Sequence, residues 1–425
     1  MAGGGVLKYK SDIDEFYKNR GGEPVWVDGN ELNTSGKELL GILKQSWMNG
    51  LNPNSYHVSR IIDAQSPIER ELLLTDGYIH YVRDLSGMRV NASDMGLNAA
   101  HWRQPIDASE ALSLLLKHKN NIAEFLLLRE PQTRTYQRLK SELTTLRELD
   151  KVKQIIVNME RLRWIEDVKP ERFVVVNIPS ATLWAIDKGR VTFEMPVIVG
   201  RKTRPTASFV TSIHGVRFNP TWTIPPTIKL KDILPKLKEN PQYLSDKGIE
   251  LYDGFAHNAP TLDPSVIDWN NIDKKALHSL RMVQIPGKHN PLGNIRFLMP
   301  NKHNIYLHDT NNKELFSRAD RAISSGCVRL QDSRKMAVFA LEKRKDWNKN
   351  AIDEILNKGK TTEVYSSEKI DIYLLYYTVW LGGKNQVIYG FDIYNNDKIL
   401  LQLLENLDEF PIIRDNGDKI VHVVD

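Results

Sequence analysis

One cysteine, Cys327, is all that 425 residues provide. An internal disulfide is therefore excluded, while a free thiol is compatible with either redox setting. Long apolar runs are missing as well. The longest, Ile370 to Leu381, contains Asp371 and is too short to cross a bilayer, so it reads as a buried strand and no transmembrane segment is expected. Charge of one sign is scarcely in excess. The 58 basic and 53 acidic residues leave a net +5, which gives no reason to expect a nucleic-acid partner. There is no His-Glu-x-x-His, no Cys-x-x-Cys, no phosphate-cradling Gly-rich loop, no Gly-x-Ser-x-Gly elbow and no papain-like signature around the cysteine. His303, His308 and Asp309 follow no recognised ligand spacing, so neither a metal nor a cofactor is assigned. No signal peptide is visible. Met1-Ala2-Gly3-Gly4-Gly5 reads as an expression scar, so an export signal is expected to have been removed.

What remains is a globular composition, 41% apolar and 26% charged, long enough for two or three domains. Residues 6–165 read as helical. Glu38 to Leu43 has helical spacing, and Asn49-Gly50-Leu51-Asn52-Pro53 stops it. Asp107 and Glu110 make a capping box before Leu112, Leu114, Leu115 and Leu116. From Tyr136, apolar residues recur every three or four positions through Leu139, Leu143, Leu146, Leu149, Val152, Ile156, Met159 and Leu162, which predicts one amphipathic helix or two in succession.

The period changes at Lys169-Pro170. Phe173 to Ile178, Leu183 to Ile186 and Val191 to Val199 are short and β-branched, with Asp187-Lys188-Gly189 as a hairpin turn. The strand pattern lapses after Phe218 to Pro226. Residues 228–287 then read as an insertion with helical pieces at 230–237 and 274–280, of the kind that forms lids beside active sites. Strands resume at Ile295 to Met299 and Asn304 to His308. A helix follows from Ser333 with Asp332 as its cap. Ile370 to Trp380 and Val387 to Ile393 read as a closing hairpin around Gly382-Gly383, and 397–425 as a charged tail with no assigned role.

An unpaired cysteine is usually a small buried hydrophobe. The setting of Cys327 points elsewhere. Ser324-Ser325-Gly326 suits an exposed turn, and Gly326 admits close backbone approach. Backbone N–H groups there suit an oxyanion. Nineteen positions upstream, His308 ends an alternating stretch where an imidazole can act as base toward the thiol. Asp309 is suited to orient it, by side chain or by main-chain carbonyl. Arg329 reads as either a salt-bridge partner holding the Cys loop or a carboxylate binder. Trp222, in a Pro-flanked segment, packs a core or faces substrate.

Tyr306-Leu307-His308-Asp309-Thr310, Leu315-Phe316 and Arg321 through Ser324-Ser325-Gly326-Cys327-Val328-Arg329-Leu330 closely resemble the signature of peptidoglycan L,D-transpeptidases with a YkuD-type catalytic domain, in the wording of their YcbB-like branch. Asn158-Met159-Glu160-Arg161 with Trp164, Phe218 to Pro226, Pro286-Gly287 through Leu292-Gly293, Asp392-Ile393-Tyr394, and Gly50 to Pro53 with Tyr56-His57 match too. The resemblance implies an α+β multidomain chain. Its parts are an N-terminal α-helical scaffold domain (6–165), a mostly-β catalytic domain (166–396) with an inserted lid (228–287), and the tail (397–425).

The family's reaction would have Cys327 attack the amide between the third residue and the terminal D-Ala of a tetrapeptide stem, releasing D-Ala. The side-chain amine of another stem's diamino acid would then resolve the thioester into a 3→3 cross-link. Resemblance makes His308 the base, the Asp309 carbonyl its orienter and the N–H groups at Gly326 and Cys327 the oxyanion hole. It places Tyr306, Trp222, Ser325 and Arg329 along the site, with carbapenems as inhibitors and the periplasm or cell envelope as location. An L,D-carboxypeptidase using water, and a non-catalytic wall-binding scaffold, are the rival readings. The peptidoglycan-binding module that larger members carry between scaffold and catalytic parts has no counterpart here, which leaves anchoring to the lid or scaffold.

Overall fold

The computed structural model describes residues 7–165, 170–344 and 347–404. Residues 1–6, 166–169, 345–346 and the tail from 405 lie outside them. The chain parts into two compact units, one of residues 1–169 with 377–425, the other of 170–376.

The first unit is helical. Its centre is Pro67–Ser86, started by Pro67 in the first turn and by the Ser66 hydroxyl, which accepts from the Glu69 N–H. Leu73, Leu74, Tyr78, Ile79, Val82 and Leu85 are buried along it. Gly77 lets the loop carrying Tyr56 press in, since a Cβ there would stand 2.8 Å from the Tyr56 carbonyl oxygen. Asp107 caps Ala108–His118 by accepting from the Glu110 N–H at 2.8 Å. The apolar stripe from Tyr136 forms two helices in succession, Arg134–Thr145 and Leu149–Arg163. No helix among the described residues is long and apolar enough to cross a membrane.

The sequence places the end of the catalytic domain at 396, but the chain leaves it at Tyr377. Polar ties explain the difference. Asn158 accepts from the Thr378 N–H (2.9 Å) and donates to its hydroxyl (2.7 Å), and that hydroxyl donates to Asp397 (2.6 Å). Asp397 in turn pairs with Arg161. These side chains hold the returning segment, including helix Asn396–Leu403, to the helix Leu149–Arg163. The expected closing hairpin is correspondingly shorter. Val379–Leu381 pairs with Val387–Tyr389 across Gly382-Gly383, whereas Thr362–Leu375 belongs to the second unit's sheet.

That second unit is a nine-stranded sheet. In spatial order its strands are Ala322–Ser324, Arg190–Gly200, Val328–Leu330, Leu307–His308, Ile295–Leu298, Phe209–Phe218, Thr362–Leu375, Arg172–Asn177 and Thr182–Asp187. The last also pairs with Arg190–Gly200, so the sheet closes on itself. The turn between those two has Lys188 and Gly189 both at positive φ (50° and 70°), the geometry a two-residue hairpin favours.

The insertion begins at Trp222, because Trp222–Thr223 joins Arg281–Gln284 and Ile249–Tyr252 in a separate three-stranded sheet. It has its own core of Ile224, Leu237, Leu244, Leu251, Trp269, Leu277 and Met282. Lys229, buried beneath it, donates to the carbonyls of Leu277, His278 and Leu280 and so caps the end of helix Lys274–Ser279.

Glu160 is the buried charge on which the helical unit turns. It accepts from Arg89 Nε (2.6 Å), Arg163 Nη2 (2.8 Å), Trp164 Nε1 (2.9 Å) and the Arg89 N–H (2.9 Å). Burial pushes its pKa up, but Arg89, Arg163 and these hydrogen bonds outweigh that and hold it at about 2. Its contribution is complete above the ordinary value of 4.5 and is lost as pH falls toward 2. Glu160→Gln, isosteric but neutral, leaves two guanidiniums uncompensated and is expected to cost about 3–5 kcal/mol. Helical circular dichroism on thermal and acid unfolding measures this, and a loss below about 1 kcal/mol would contradict it.

Candidate active site

The site rests on a short parallel pairing. Leu307 stands opposite Val328 and His308 opposite Arg329, and the Val328 N–H donates to the Tyr306 carbonyl at 3.0 Å. Strand alternation then puts Tyr306, His308, Cys327 and Arg329 on one face. The next strand adds Arg296, which is opposite His308, while its guanidinium lies 4.3 Å from the Tyr306 ring centroid. Two strands further the row continues through Arg217 to Glu363. Seven of the eight residues singled out from the sequence therefore lie here, counting Ser325 and Gly326 in the Cys loop and Asp309 next to His308, and Trp222 is the exception.

His308 is 4% exposed, and its Nδ1–H donates to the Asp309 carbonyl at 2.5 Å. A carbonyl only accepts, so the proton sits on Nδ1 and the lone pair on Nε2. The sequence leaves open how Asp309 would orient the ring, and the structure uses its main chain. The Asp309 carboxylate has other partners, accepting from the Asn294 N–H (3.0 Å) and from Lys313 Nζ (2.6 Å). Lys313 also donates to the carbonyls of Leu330 (3.1 Å) and Gln331 (2.8 Å), tying the histidine strand to the far end of the cysteine strand. Burial, helped by Arg329, drives the imidazole pKa down to about 3. Cys327 is half-buried, with Sγ 3.7 Å from the Asn304 carbonyl oxygen. Burial pushes its thiol above 9.0, against the pull of the Tyr306 backbone contact and of Arg296 and Arg329. Both shifts favour the neutral forms, thiol and imidazole.

The Cys loop is held from beneath. Gly326 has φ +116°, a conformation closed to other residues. Its carbonyl accepts from the Thr206 hydroxyl (2.7 Å), which itself accepts from the Gly200 N–H (2.8 Å). The Ser324 hydroxyl donates to the Cys327 carbonyl at 2.6 Å. The Gly326 N–H donates to Ser324 Oγ at 3.1 Å, so the expected share of Gly326 in an oxyanion hole is already spent. The Cys327 N–H has no acceptor among the described residues. Exposed Ser325 accepts from Arg204 (3.0 Å), whose guanidinium also meets Asp232 of the insertion at 2.6 Å. Trp222 is not in the row. It sits on the insertion's sheet, against that core. The alternatives for Arg329 narrow, because its guanidinium has no hydrogen bond or ion pair among the described residues.

Sequence reasoning missed Arg296, Arg204 and Thr206. Arg296 has no sequence signal, because only cross-strand register brings it beside His308. The basic run Arg201-Lys202-Thr203-Arg204 directly after a strand was a visible hint.

Two family models match: the Scaffold domain over residues 11–143 and the L,D-transpeptidase catalytic domain, YkuD, over 171–361. A Haemophilus influenzae protein provisionally named an L,D-transpeptidase is 30% identical over 399 residues, spanning 91% of this chain and 79% of that one. The chain belongs to the L,D-transpeptidase family. Two solved L,D-transpeptidases are similar at far lower identity. One from Mycobacterium smegmatis is 13% identical at TM-score 0.25, covering 48% of this chain and 58% of that chain. The catalytic domain of the Enterococcus faecium enzyme, acylated by ertapenem, is 12% identical at TM-score 0.23, covering 47% and 98%. A helical Scaffold region thus precedes a mostly-β YkuD domain in this chain.

A neutral resting thiol has a measurable consequence. Alkylation of Cys327 by iodoacetamide at pH 7 is expected to run roughly an order of magnitude slower than for a free thiol and to climb through an apparent pKa above 9. A rate already on its plateau at pH 6 would mean a resting thiolate–imidazolium pair instead.

Proposed function

We propose that this L,D-transpeptidase forms 3→3 cross-links between peptidoglycan stem peptides through a thioester on Cys327, in the periplasm where that polymer lies. The observation carrying this reading is the common face shared by Cys327 and a histidine whose tautomer is fixed with Nε2 free.

His308 Nε2 takes the Sγ proton as sulfur attacks the carbonyl joining the third residue to D-Ala. The oxyanion accepts from the Cys327 N–H. The C–N bond breaks, the imidazolium returns its proton to the departing amine, and D-Ala leaves. The acceptor's side-chain amine then gives a proton to His308, attacks the thioester, and displaces the sulfur, which recovers that proton. A neutral pair suits this sequence, since the proton moves only as the bond forms. The insertion acts as a lid on this reading, supported by Arg204, which joins its Asp232 to Ser325 beside the nucleophile. Carbapenems fit the same route, because their strained amide acylates a thiol without releasing a leaving group.

Two measurements test the proposal. With a carbapenem, intact mass should show one adduct on the native protein and none on Cys327→Ala. With purified tetrapeptide stems, the product should be a cross-linked dimer, falling by about 10³-fold or more in His308→Ala. Tripeptide alone would transfer the reading to a carboxypeptidase, and no turnover with no adduct would leave only a wall-binding protein.

A further inference from the structure

The cross-strand row through His308 carries more positive charge than its surroundings neutralise. Arg296 and Arg329 flank the histidine on the two neighbouring strands. Arg217 stands directly opposite Arg296, and like charges so placed repel. The one carboxylate in the row, Glu363, is taken by Arg217 Nε at 2.6 Å and by its Nη2. Arg296 makes no ion pair among the described residues and feels Glu363 only as a more distant charge. Its Nε is buried without a hydrogen-bond partner among the described residues, and its plane is held against Tyr306. Arg163 and Arg172 also leave Nε unpaired, but each reaches a carboxylate, Glu160 and Glu342, through another nitrogen. Arg329, half-buried opposite His308, is equally without an acidic partner among the described residues.

A fold that buries a guanidinium normally supplies its anion, so an anion that arrives with the ligand accounts for this arrangement. We propose that Arg296 and Arg329 form a carboxylate-recognition pair, straddling His308, that seats a substrate carboxylate close to the amide attacked by Cys327. Guanidinium groups match a carboxylate in geometry as well as in charge, and a carboxamide offers only one of the two acceptor oxygens. In a stem peptide this group is either the α-carboxylate of the leaving residue or the free side-chain carboxylate of the third residue. This assignment of the carboxylate rests on the transpeptidase reading; the presence of the pair beside the sulfur does not.

The first measurement therefore needs no turnover. Cys327 is alkylated by iodoacetate and by iodoacetamide, which differ in carrying a carboxylate or a carboxamide. Normalised to free cysteine, the native protein is expected to favour iodoacetate by about tenfold. Arg296→Gln should lose most of that preference and Arg296→Lys should keep part of it. Because the ratio compares two reagents on one protein, a general loss of reactivity cancels. Equal reactivity toward the two reagents, or a preference unchanged in Arg296→Gln, overturns the pair.

The second measurement uses tetrapeptide donors bound to Cys327→Ala, one amidated at its C-terminus and one at the third residue's side chain. The donor whose amidation weakens binding by about tenfold, and does so no longer when Arg296→Gln is added, identifies the carboxylate read. If neither amidation matters, the pair does not act on stem peptides and the proposal fails. If the alkylation preference is present but native protein leaves every donor intact, it is the transpeptidase reading that fails.

Discussion

The parallel pairing of two very short strands, Leu307–His308 and Val328–Leu330, is the constraint from which the site follows. It fixes two residue pairs, yet it brings residues nineteen positions apart onto one sheet face. A slip of one residue would turn Cys327 to the opposite face from His308. The register is accordingly secured outside the pairing itself. Lys313 bonds the cysteine strand's last carbonyls and the Asp309 carboxylate together, and Thr206 holds the Gly326 carbonyl. Close packing adds to this: a side chain at Gly293 would collide with the Asp309 carboxylate at 2.4 Å.

Electrostatics of the same face set the resting state. Sequence logic suggests an imidazole that forms and holds a thiolate. Burial acts against both charges, and the flanking arginines disfavour an imidazolium while favouring a thiolate. The two influences meet in a neutral pair. The fixed tautomer then matters more than any preformed charge, because Nε2 must be free when the sulfur begins to bond. One main-chain hydrogen bond from Nδ1 supplies that.

Much of this was legible in the chain. The Asp187-Lys188-Gly189 turn, the caps at Asp107 and Asp332, and the linked Tyr306–Thr310 and Ser324–Leu330 motifs are local, so short-range chemistry announces them. Two other features depend on partners remote in sequence. The returning segment from Tyr377 has strand-like residues that continue the sheet's pattern, but Asn158, Arg161 and Asp397 redirect it, and isolated polar ties leave no periodicity. Arg296 looks like an ordinary outward residue of Ile295–Leu298 until the register with His308 is known. The Gly326 N–H illustrates a third limit. Motif logic assigns it to an oxyanion, yet the Ser324 hydroxyl two residues back reaches it first.

Elsewhere the chain shows how it handles buried charge, which gives the bare arginines their meaning. Glu160 joins Arg89 and Arg163, Asp397 meets Arg161, and Glu342 meets Arg172. Even Lys229, which has no carboxylate, is enclosed by three carbonyls. In each case the folded chain supplies the counter-group, as the cost of desolvating a cation requires. Arg296 and Arg329 depart from that practice at the face shared with Cys327 and His308. Their charge is therefore better matched to a group beyond the direct ion pairs that the described residues supply. A ligand bearing that charge would find its binding energy concentrated beside the reacting atoms, where orientation has the largest effect on rate.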